Sequence, residues 1–182
     1  MLDLFSGLGG ASQAMKDRGW EVIRVDNNYK FSPDICLDVR ELNGYKFRNA
    51  VDLLWASPPC DEFSREGMPW HKTGREPDFS CVNAIYTLRH IIHPRWWVLE
   101  NTRFAQKWLG RSGMHYGAFY LWGDFPLFLC RPRSQKWHLS SSQHELRAKI
   151  PYDLSLALAL ACEAYSTVEP RGGHPAGSSG VP

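Results

Sequence analysis

The sequence predicts an α/β protein whose doubly wound, mostly parallel sheet carries helices on both faces. Short apolar segments of strand length alternate with helical segments, which is typical of βαβ units. Residues able to do chemistry also recur where the predicted strands end, and ligands of such sheets bind beyond the carboxyl ends of the strands. These residues are Asp3, Asp26, Asp38, Cys60 and Glu100.

The first third of the chain is predicted to hold four strands and one helix. Residues 1–4 form a buried strand, and a glycine-rich turn at Gly7–Gly10 leads into a helix over residues 11–18. The fourth strand is apolar almost throughout, as strands buried on both faces are. The second, third and fourth strands are predicted over residues 21–25, 35–37 and 51–56.

The rest of the chain continues the alternation. A helix is predicted over residues 82–92, and the apolar strand 96–99 follows it. The final helix is predicted over residues 153–165, with Pro151 just before it, because proline is favoured at the start of a helix. Between them we expect a helix over residues 104–109, a strand over residues 118–122 and an extended piece over residues 125–129.

Length and composition are consistent with one domain over residues 1–165 and a disordered tail, rich in glycine, proline and serine, over residues 166–182. No apolar run reaches the roughly 18 residues of a membrane span, so no membrane association is expected.

The chain has 5 cysteines, widely spaced and without a CxxC pair. We therefore expect neither a metal site nor a disulfide framework, and a cytoplasmic location.

Charge is unevenly distributed along the chain. Residues 1–64 carry 7 lysines and arginines against 10 acidic residues, whereas residues 65–149 carry 13 against 6. The basic part also contains six tryptophans. This pattern fits either solvated arginines over an aromatic core or a surface that binds nucleic acid, since contacts to phosphates need such a surplus.

The glycine turn is a candidate nucleoside site. Its glycines let the backbone approach a ligand closely at the start of a helix, although a tight strand–helix connection would look the same. Asp26 ends the next strand, where an acidic residue typically binds a ribose. The spacing is not that of a dinucleotide fingerprint, and Asp3 would repel a pyrophosphate. A nucleoside without phosphates fits better, and S-adenosylmethionine is the first candidate.

Cys60 and Glu100 are the candidate catalytic pair. Pro58 and Pro59 restrict the turn that carries Cys60, and a thiolate there is a strong nucleophile if its pKa is lowered. Glu100 ends an apolar strand, where burial is expected to raise its pKa and make it a general acid. Taken singly, the cysteine could be a buried apolar residue and the glutamate a surface carboxylate. The polar segment 64–80 is predicted to be a mobile loop that closes over substrate.

Four segments resemble motifs of the cytosine-C5 DNA methyltransferases, in the order in which that family has them. The segments are Asp3–Gly10, Pro58–Ser64, Glu100–Thr102 and Arg147–Tyr152. The resemblance covers roughly residues 1–165 and implies the Rossmann-like fold of S-adenosylmethionine-dependent methyltransferases. It also implies DNA methylation of the phage or prokaryotic, restriction-modification type.

The resemblance implies a covalent mechanism. Cys60 would attack C6 of a cytosine flipped out of duplex DNA, Glu100 would engage N3, and C5 would take the methyl group of S-adenosyl-L-methionine. Asp26 would bind the ribose and Asp38 the adenine amino group. The residues expected at the cofactor are Asp3, Phe5, Ser6, Gly7, Leu8, Gly9, Asp26, Asn27, Asp38, Val39 and Pro58.

The sequence also departs from the family pattern. Asp61 follows the cysteine where glutamine is usual, and Thr102 replaces the usual valine. The Gln-x-Arg-x-Arg motif is not recognisable, because Met114, Tyr116 and Ala118 align with its polar positions. Arg111 or His115 are candidate substitutes for its arginines.

Target recognition is expected to be minimal. Only a short segment near residues 124–144 precedes the C-terminal motif, so we expect a short target sequence or a partner subunit. The residues expected to contact nucleic acid are Ser64, Arg65, Arg103, Arg111, Arg131, Arg133 and Lys136. Two alternatives stay open: an RNA cytosine-C5 methyltransferase, and a catalytically silent DNA-binding subunit that binds S-adenosylmethionine.

Overall fold

The computed structural model of the chain describes residues 1–65, 76–130, 146 and 148–168. Within these residues seven strands form one sheet. In chain order they are β1 (Leu2–Leu4), β2 (Ile23–Asp26), β3 (Ile35–Cys36), β4 (Leu53–Ala56), β5 (Trp96–Asn101), β6 (Met114–Tyr116) and β7 (Phe119–Asp124).

The strand order across the sheet is β3-β2-β1-β4-β5-β7-β6. The first five strands in this order are parallel, and β7 then pairs antiparallel with both β5 and β6. The order changes direction at β1 and β4, so the segments after these strands leave the sheet on either side of a crevice where ligands of such folds bind. The predicted doubly wound, mostly parallel fold is confirmed.

Five α-helices are described: α1 (Gly10–Asp17), α2 (Asp61–Ser64), α3 (Ser80–Ile92), α4 (Gln106–Leu109) and α5 (Tyr152–Val168). Helices α1 and α5 pack on one face of the sheet, where Met15 and Leu158 join Trp55 in one buried cluster. Helix α3 packs on the other face, where Ile85 and Leu54 belong to a second cluster.

Strand β4 shows why the sequences of the central strands are apolar at almost every position. All four of its residues are buried. Successive side chains of a strand point to opposite faces, so Leu53 and Trp55 enter the cluster beneath α1 and α5, whereas Leu54 and Ala56 enter the cluster beneath α3. Both faces are thus covered, as the prediction for this strand required.

Several elements differ from the sequence-based expectations. Helix α2 was not predicted, because its 4 residues are too few for a helical pattern. Strand β6 was not predicted, because its 3 residues are too few for a periodic pattern. The segment 125–129 is not paired in the sheet: β7 ends at Asp124, and Pro126 has no N–H to donate to a strand ladder. Helix α5 continues to Val168, three residues beyond its expected end.

The segments expected to form the loop over substrate and the recognition segment fall largely outside the described residues, as do Arg131, Arg133, Lys136 and Arg147. The same holds for residues 169–182. Among the described residues, no helix is long and apolar enough to cross a membrane.

Gly10 shows how closely the glycine turn packs against the segment before α5. A Cβ at this position would lie 2.5 Å from the carbonyl oxygen of Ile150 and 2.7 Å from its nitrogen. We expect Gly10→Ala to destabilise the fold by about 1–3 kcal/mol, because the backbone must move apart. Thermal unfolding measures this loss. Gly113→Ala is the control, since its nearest neighbour would lie 3.9 Å away, and an equal loss in both variants would contradict the packing argument.

Candidate active site

The turn after β1 is held in a conformation that brings its main chain close to the sheet edge. Phe5, Gly7 and Gly9 have φ values of 57°, 46° and 71°, in the left-handed region that glycine adopts readily and other residues rarely do. The main-chain N–H of Gly9 donates to the carbonyl of Ser6 at 2.7 Å. Leu8 at the tip of the turn is 39% exposed.

Asp26, at the end of β2, is bonded to this turn. Its Oδ2 accepts from the main-chain N–H of Gly7 at 2.8 Å, and its Oδ1 accepts from that of Asn28 at 2.8 Å. The carboxylate is buried, and each oxygen keeps a further lone pair for a ligand. The side chain therefore fixes the turn and can still accept hydrogen bonds from a diol.

Three further candidate cofactor residues come after β2 and β3. Asn27 directly follows β2, and Asp38 and Val39 follow β3. Asp38 forms a two-point ion pair with Arg40, with N–O distances of 2.9 Å and 2.6 Å. These contacts lower the pKa of Asp38 to about 2, so it is an anionic acceptor at neutral pH. Val39 is buried in the cluster beneath α3, and Asn27 is exposed.

Asp3 lies inside β1, beneath the glycine turn. It is 1% exposed, and burial raises its pKa to about 7, opposed by a hydrogen bond to Ser12 and by the charge of Arg24. Its Oδ2 and the hydroxyl of Ser6 are buried and have no hydrogen-bond partner among the described residues. Such unpaired polar atoms are costly unless a ligand or water completes them.

The Pro58-Pro59-Cys60 turn leaves β4 next to the end of β5. Ala56 pairs with Leu99, which brings the residues after each of them to the same sheet edge. The amide of Asn101 donates to the carbonyl of Pro58 at 3.2 Å, and the Asn101 side chain is 1% exposed. Asn101 thus joins the segment that carries Cys60 to the strand that carries Glu100.

Cys60 is a half-buried thiol at the start of α2. Burial raises its pKa, the negative charge of Asp61 raises it further, and a hydrogen bond with Ser64 acts in the opposite sense. The condition that the pKa be lowered locally is therefore not met in the free protein. The thiol is protonated at neutral pH and has to lose its proton as it reacts.

Glu100 behaves as the sequence led us to expect. Desolvation raises its pKa to about 7, partly offset by a hydrogen bond from the hydroxyl of Ser57. Its charge also contributes to the raised pKa of Cys60, so the two groups act on each other electrostatically. A carboxyl group that titrates near pH 7 can both give and take a proton under working conditions.

The positions aligned with the missing arginine motif are apolar in the structure as well. Tyr116 is buried in the cluster beneath α1 and α5, and Met114 packs against that cluster. Ala118 is exposed at the turn between β6 and β7. His115 stacks on Tyr120 with a centroid distance of 5.0 Å, and Arg111 is exposed. Nothing in the described contacts joins either candidate substitute to Glu100.

Several basic residues lie in the segment that follows β5. Arg103 and Arg111 are exposed, and Lys107 lies between them at a spacing of four residues. The guanidinium of Arg103 lies 4.7 Å from the ring centroid of Phe104. Arg65, by contrast, pairs with Glu62 at 2.5 Å. Ser64 is the last residue of α2 and donates its main-chain N–H to the carbonyl of Cys60 at 2.9 Å. Among the described residues, no group of three or more histidine, cysteine or acidic side chains could hold a metal ion.

The family model of the C-5 cytosine-specific DNA methylases matches residues 1–108. This range covers more than half of the chain and contains the glycine turn, Cys60 and Glu100. The chain belongs to this family.

Individual relatives match over part of their length. The chain is 28% identical over 120 residues to the type II methyltransferase M.HindV of Haemophilus influenzae, covering 58% of this chain and 38% of that protein. It is 26% identical over 139 residues to the type II methyltransferase M.HgiDI of Herpetosiphon aurantiacus, covering 68% and 42%. The chain thus spans about two fifths of the length of these relatives.

A solved structure, the S. pombe Dnmt2 methyltransferase, is similar with a TM-score of 0.43 and 20% sequence identity. The match covers 58% of this chain and 37% of that one. The fold assignment stands on the strand order and register described above.

Proposed function

We propose that this member of the C-5 cytosine-specific DNA methylase family transfers a methyl group from S-adenosylmethionine to C5 of cytosine in DNA. The supporting observation is that a half-buried thiol after β4 and a carboxyl group with a pKa of about 7 near the end of β5 lie on neighbouring parallel strands in a chain of this family. A nucleophile beside a proton donor is what covalent chemistry on an aromatic base requires.

S-adenosylmethionine fits the residues at the carboxyl ends of β1 and β2. The unpaired hydroxyl of Ser6 offers a polar contact within the turn, and the open main chain at Phe5, Gly7 and Gly9 allows close approach. Asp26 would bind the ribose hydroxyls, and Asp38 would accept from the adenine amino group. Asp3, Leu8, Asn27, Val39 and Pro58 complete the proposed cofactor residues; of these, Asp3 would act from beneath the turn because of its burial.

Asp26→Asn is expected to weaken S-adenosylmethionine binding by at least about tenfold, measured by titration calorimetry. One of the two main-chain donors would then face an amide N–H₂ group, so the turn would lose a charge-assisted hydrogen bond. Asp17→Asn is the control, because it removes the same charge from an exposed position on α1. Unchanged affinity in Asp26→Asn would exclude this carboxylate from the site.

The proposed chemistry balances one proton. Cys60 Sγ forms a bond to C6 and gives up its proton, while N3 gains a proton with the help of Glu100. S-adenosylmethionine, when bound, supplies an electrophilic methyl group for C5. The cofactor would leave as S-adenosylhomocysteine once its methyl group is bonded to C5. Loss of the C5 proton to water would then break the bond between Sγ and C6, and the proton on N3 would return to Sγ with the help of Glu100, which restores both the aromatic ring and the thiol.

The target cytosine has to leave the stack for Cys60 to reach C6, so base flipping is part of the proposal. Arg103 and Arg111, with Ser64 and Arg65, are proposed to contact the nucleic acid. Arg131, Arg133 and Lys136 are proposed for the same role and lie outside the described residues. A partner subunit that supplies target recognition is also part of the proposal, because the stretch of sequence between β7 and α5, residues 125–151, is short.

Labelled methyl transfer to a mixed duplex DNA library, followed by base-resolution mapping, tests the proposed function. We expect 5-methylcytosine in DNA, at a short target sequence. A matched RNA library is the control substrate. Methylation of RNA alone, or of an exocyclic nitrogen, would overturn the proposal, and a strict target of six or more bases would contradict minimal recognition.

A further inference from the structure

Ser57 is the residue that contacts Glu100 from the neighbouring strand. Because Ala56 pairs with Leu99 in parallel register, the next residue of each strand lies at the same level of the sheet. This register places the two side chains on the same face of the sheet and within reach of each other, and a hydrogen bond with Ser57 opposes the effect of burial on the pKa of Glu100. The contact follows from the register and does not need a side chain from elsewhere in the fold.

The orientation of Ser57 is fixed by Trp55. The indole N–H donates to Ser57 Oγ at 2.8 Å, and the two side chains share a face because they are two residues apart on an extended segment. Trp55 is 1% exposed within the cluster beneath α1 and α5, so its ring cannot turn freely. An indole N–H is a donor only. It therefore occupies an acceptor site of Ser57 and leaves the hydroxyl proton for Glu100.

The need for such a contact follows from the apolar side chains on β6. Met114 and Tyr116 contribute to the buried cluster, so no arginine reaches Glu100 from the positions aligned with the family motif. A carboxyl group without a fixed partner could rotate and present either oxygen to a substrate. The hydrogen bond from Ser57 removes that freedom.

We propose that Ser57, oriented by Trp55, is a positioning residue for Glu100. It holds one carboxylate oxygen as an acceptor, so that the other oxygen carries the proton that is shared with N3 of the cytosine. This inference rests on the proposed function and assigns to the strand pair β4–β5 the role that an arginine plays in the family motif.

A hydrogen bond donated to a carboxylate favours its ionised form. Removing it in Ser57→Ala should therefore raise the pKa of Glu100, and the limb of the pH–rate profile that belongs to Glu100 should move upward by about one pH unit. The maximal rate should fall about tenfold, because the proton is no longer held on one oxygen. Trp55→Phe should move the limb in the same direction by less, and Ser57→Thr should restore both the limb and the rate.

The test is the pH dependence of single-turnover methyl transfer in these variants, with Ser155→Ala as the control. Ser155 is also a buried serine whose hydroxyl donates one hydrogen bond, to the carbonyl of Ala11. A rate loss in Ser57→Ala without movement of the limb would reduce Ser57 to a structural role and overturn the inference. Failure of Ser57→Thr to restore the limb would overturn it too.

A second readout does not depend on activity. In protein labelled with ¹³C at glutamate carboxyl carbons, the Glu100 resonance, assigned from its absence in Glu100→Gln, reports the pKa directly. We expect a higher pKa in Ser57→Ala than in the unmodified chain, whether or not methyl transfer is detected. An unchanged or lower pKa would refute the contact itself, whereas a raised pKa in a chain without methyl transfer would refute only the proposed function.

Discussion

Cys60→Ser is expected to reduce methyl transfer to DNA by more than about 10³-fold. A serine hydroxyl is far less acidic than a thiol and far less nucleophilic towards an aromatic carbon. The substitution changes little else, since the two side chains differ only in the O and S atoms. Single-turnover transfer of a labelled methyl group at saturating DNA measures the effect, and binding of S-adenosylmethionine should stay within about twofold because the thiol is not a proposed cofactor contact.

Cys81→Ser is the matched control for this prediction. Cys81 is also half-buried and lies in the first turn of α3, where the charges that act on it are those of Arg40, Asp38 and Asp78 and not that of Glu100. Its replacement should leave the transfer rate within about twofold of the unmodified chain. Comparable losses in both variants, or transfer that survives in Cys60→Ser, would refute the assignment of the nucleophile.

Glu100→Gln is expected to lower the rate of methyl transfer by about 10²- to 10⁴-fold. Glutamine can still donate a hydrogen bond to N3, but it cannot transfer a proton. It also cannot titrate, so the limb of the pH–rate profile near pH 7 that arises from the raised pKa of Glu100 should be absent. Single-turnover rates measured across the pH range in both proteins check both effects.

Glu21→Gln controls for the loss of a carboxylate as such, because Glu21 is exposed at the opposite end of the sheet, before β2. The limb near pH 7 should remain in that variant. If the limb also remained in Glu100→Gln, another group would have to be its source, and Glu100 would lose its proposed role.

The pKa values of Cys60 and Glu100 determine which of these two groups is protonated in the free protein. Burial raises the pKa of Cys60 above its usual range, whereas the pKa of Glu100 lies at about 7. Between pH 7 and the usual pKa range of a thiol, the free protein therefore holds the thiol protonated and the carboxyl group ionised. In the proposed reaction, adduct formation would move the thiol proton to N3 of the base, and a Glu100 that titrates in this range could take part without a large energy cost.

The parallel part of the fold could be predicted because its strands are buried on both faces. Strand β4 reads as apolar throughout, and the alternation of strands with helices determines a small set of topologies. The antiparallel end was harder to predict. Strand β6 has three residues and no strong pattern, and the antiparallel pairing of β7 with β5 depends on tertiary contacts that local sequence does not encode.

The candidate site also has features that could be predicted from the sequence and features that could not. Cys60, Glu100 and Asp26 could be proposed from sequence because each stands at a predicted strand end beside a recognisable motif, and their roles remain predictions. The thiol pKa could not be anticipated, since burial and the charge of Asp61 decide its direction.

Ser57 and Trp55 were not among the predicted site residues. Their contact depends on the register of β4 against β5 and on the burial of an indole ring. In sequence, Ser57 was recognisable only as a polar residue directly after an apolar strand. That pattern does not predict a contact with Glu100 unless the register of β4 against β5 is known. Asn101 was visible beside Glu100 in sequence, but its hydrogen bond to Pro58 appears only in the folded chain.

The proposed reaction requires a covalent bond between Cys60 Sγ and C6 of cytosine. Duplex DNA that contains 5-fluorocytosine tests it directly, because a fluorine at C5 cannot leave as the proton does and the adduct cannot resolve. With S-adenosylmethionine present, we expect a stable protein–DNA complex whose digestion yields a modified nucleotide on the peptide that contains Cys60. A complex attached through another residue, or no complex in a protein that methylates cytosine at C5, would contradict the account.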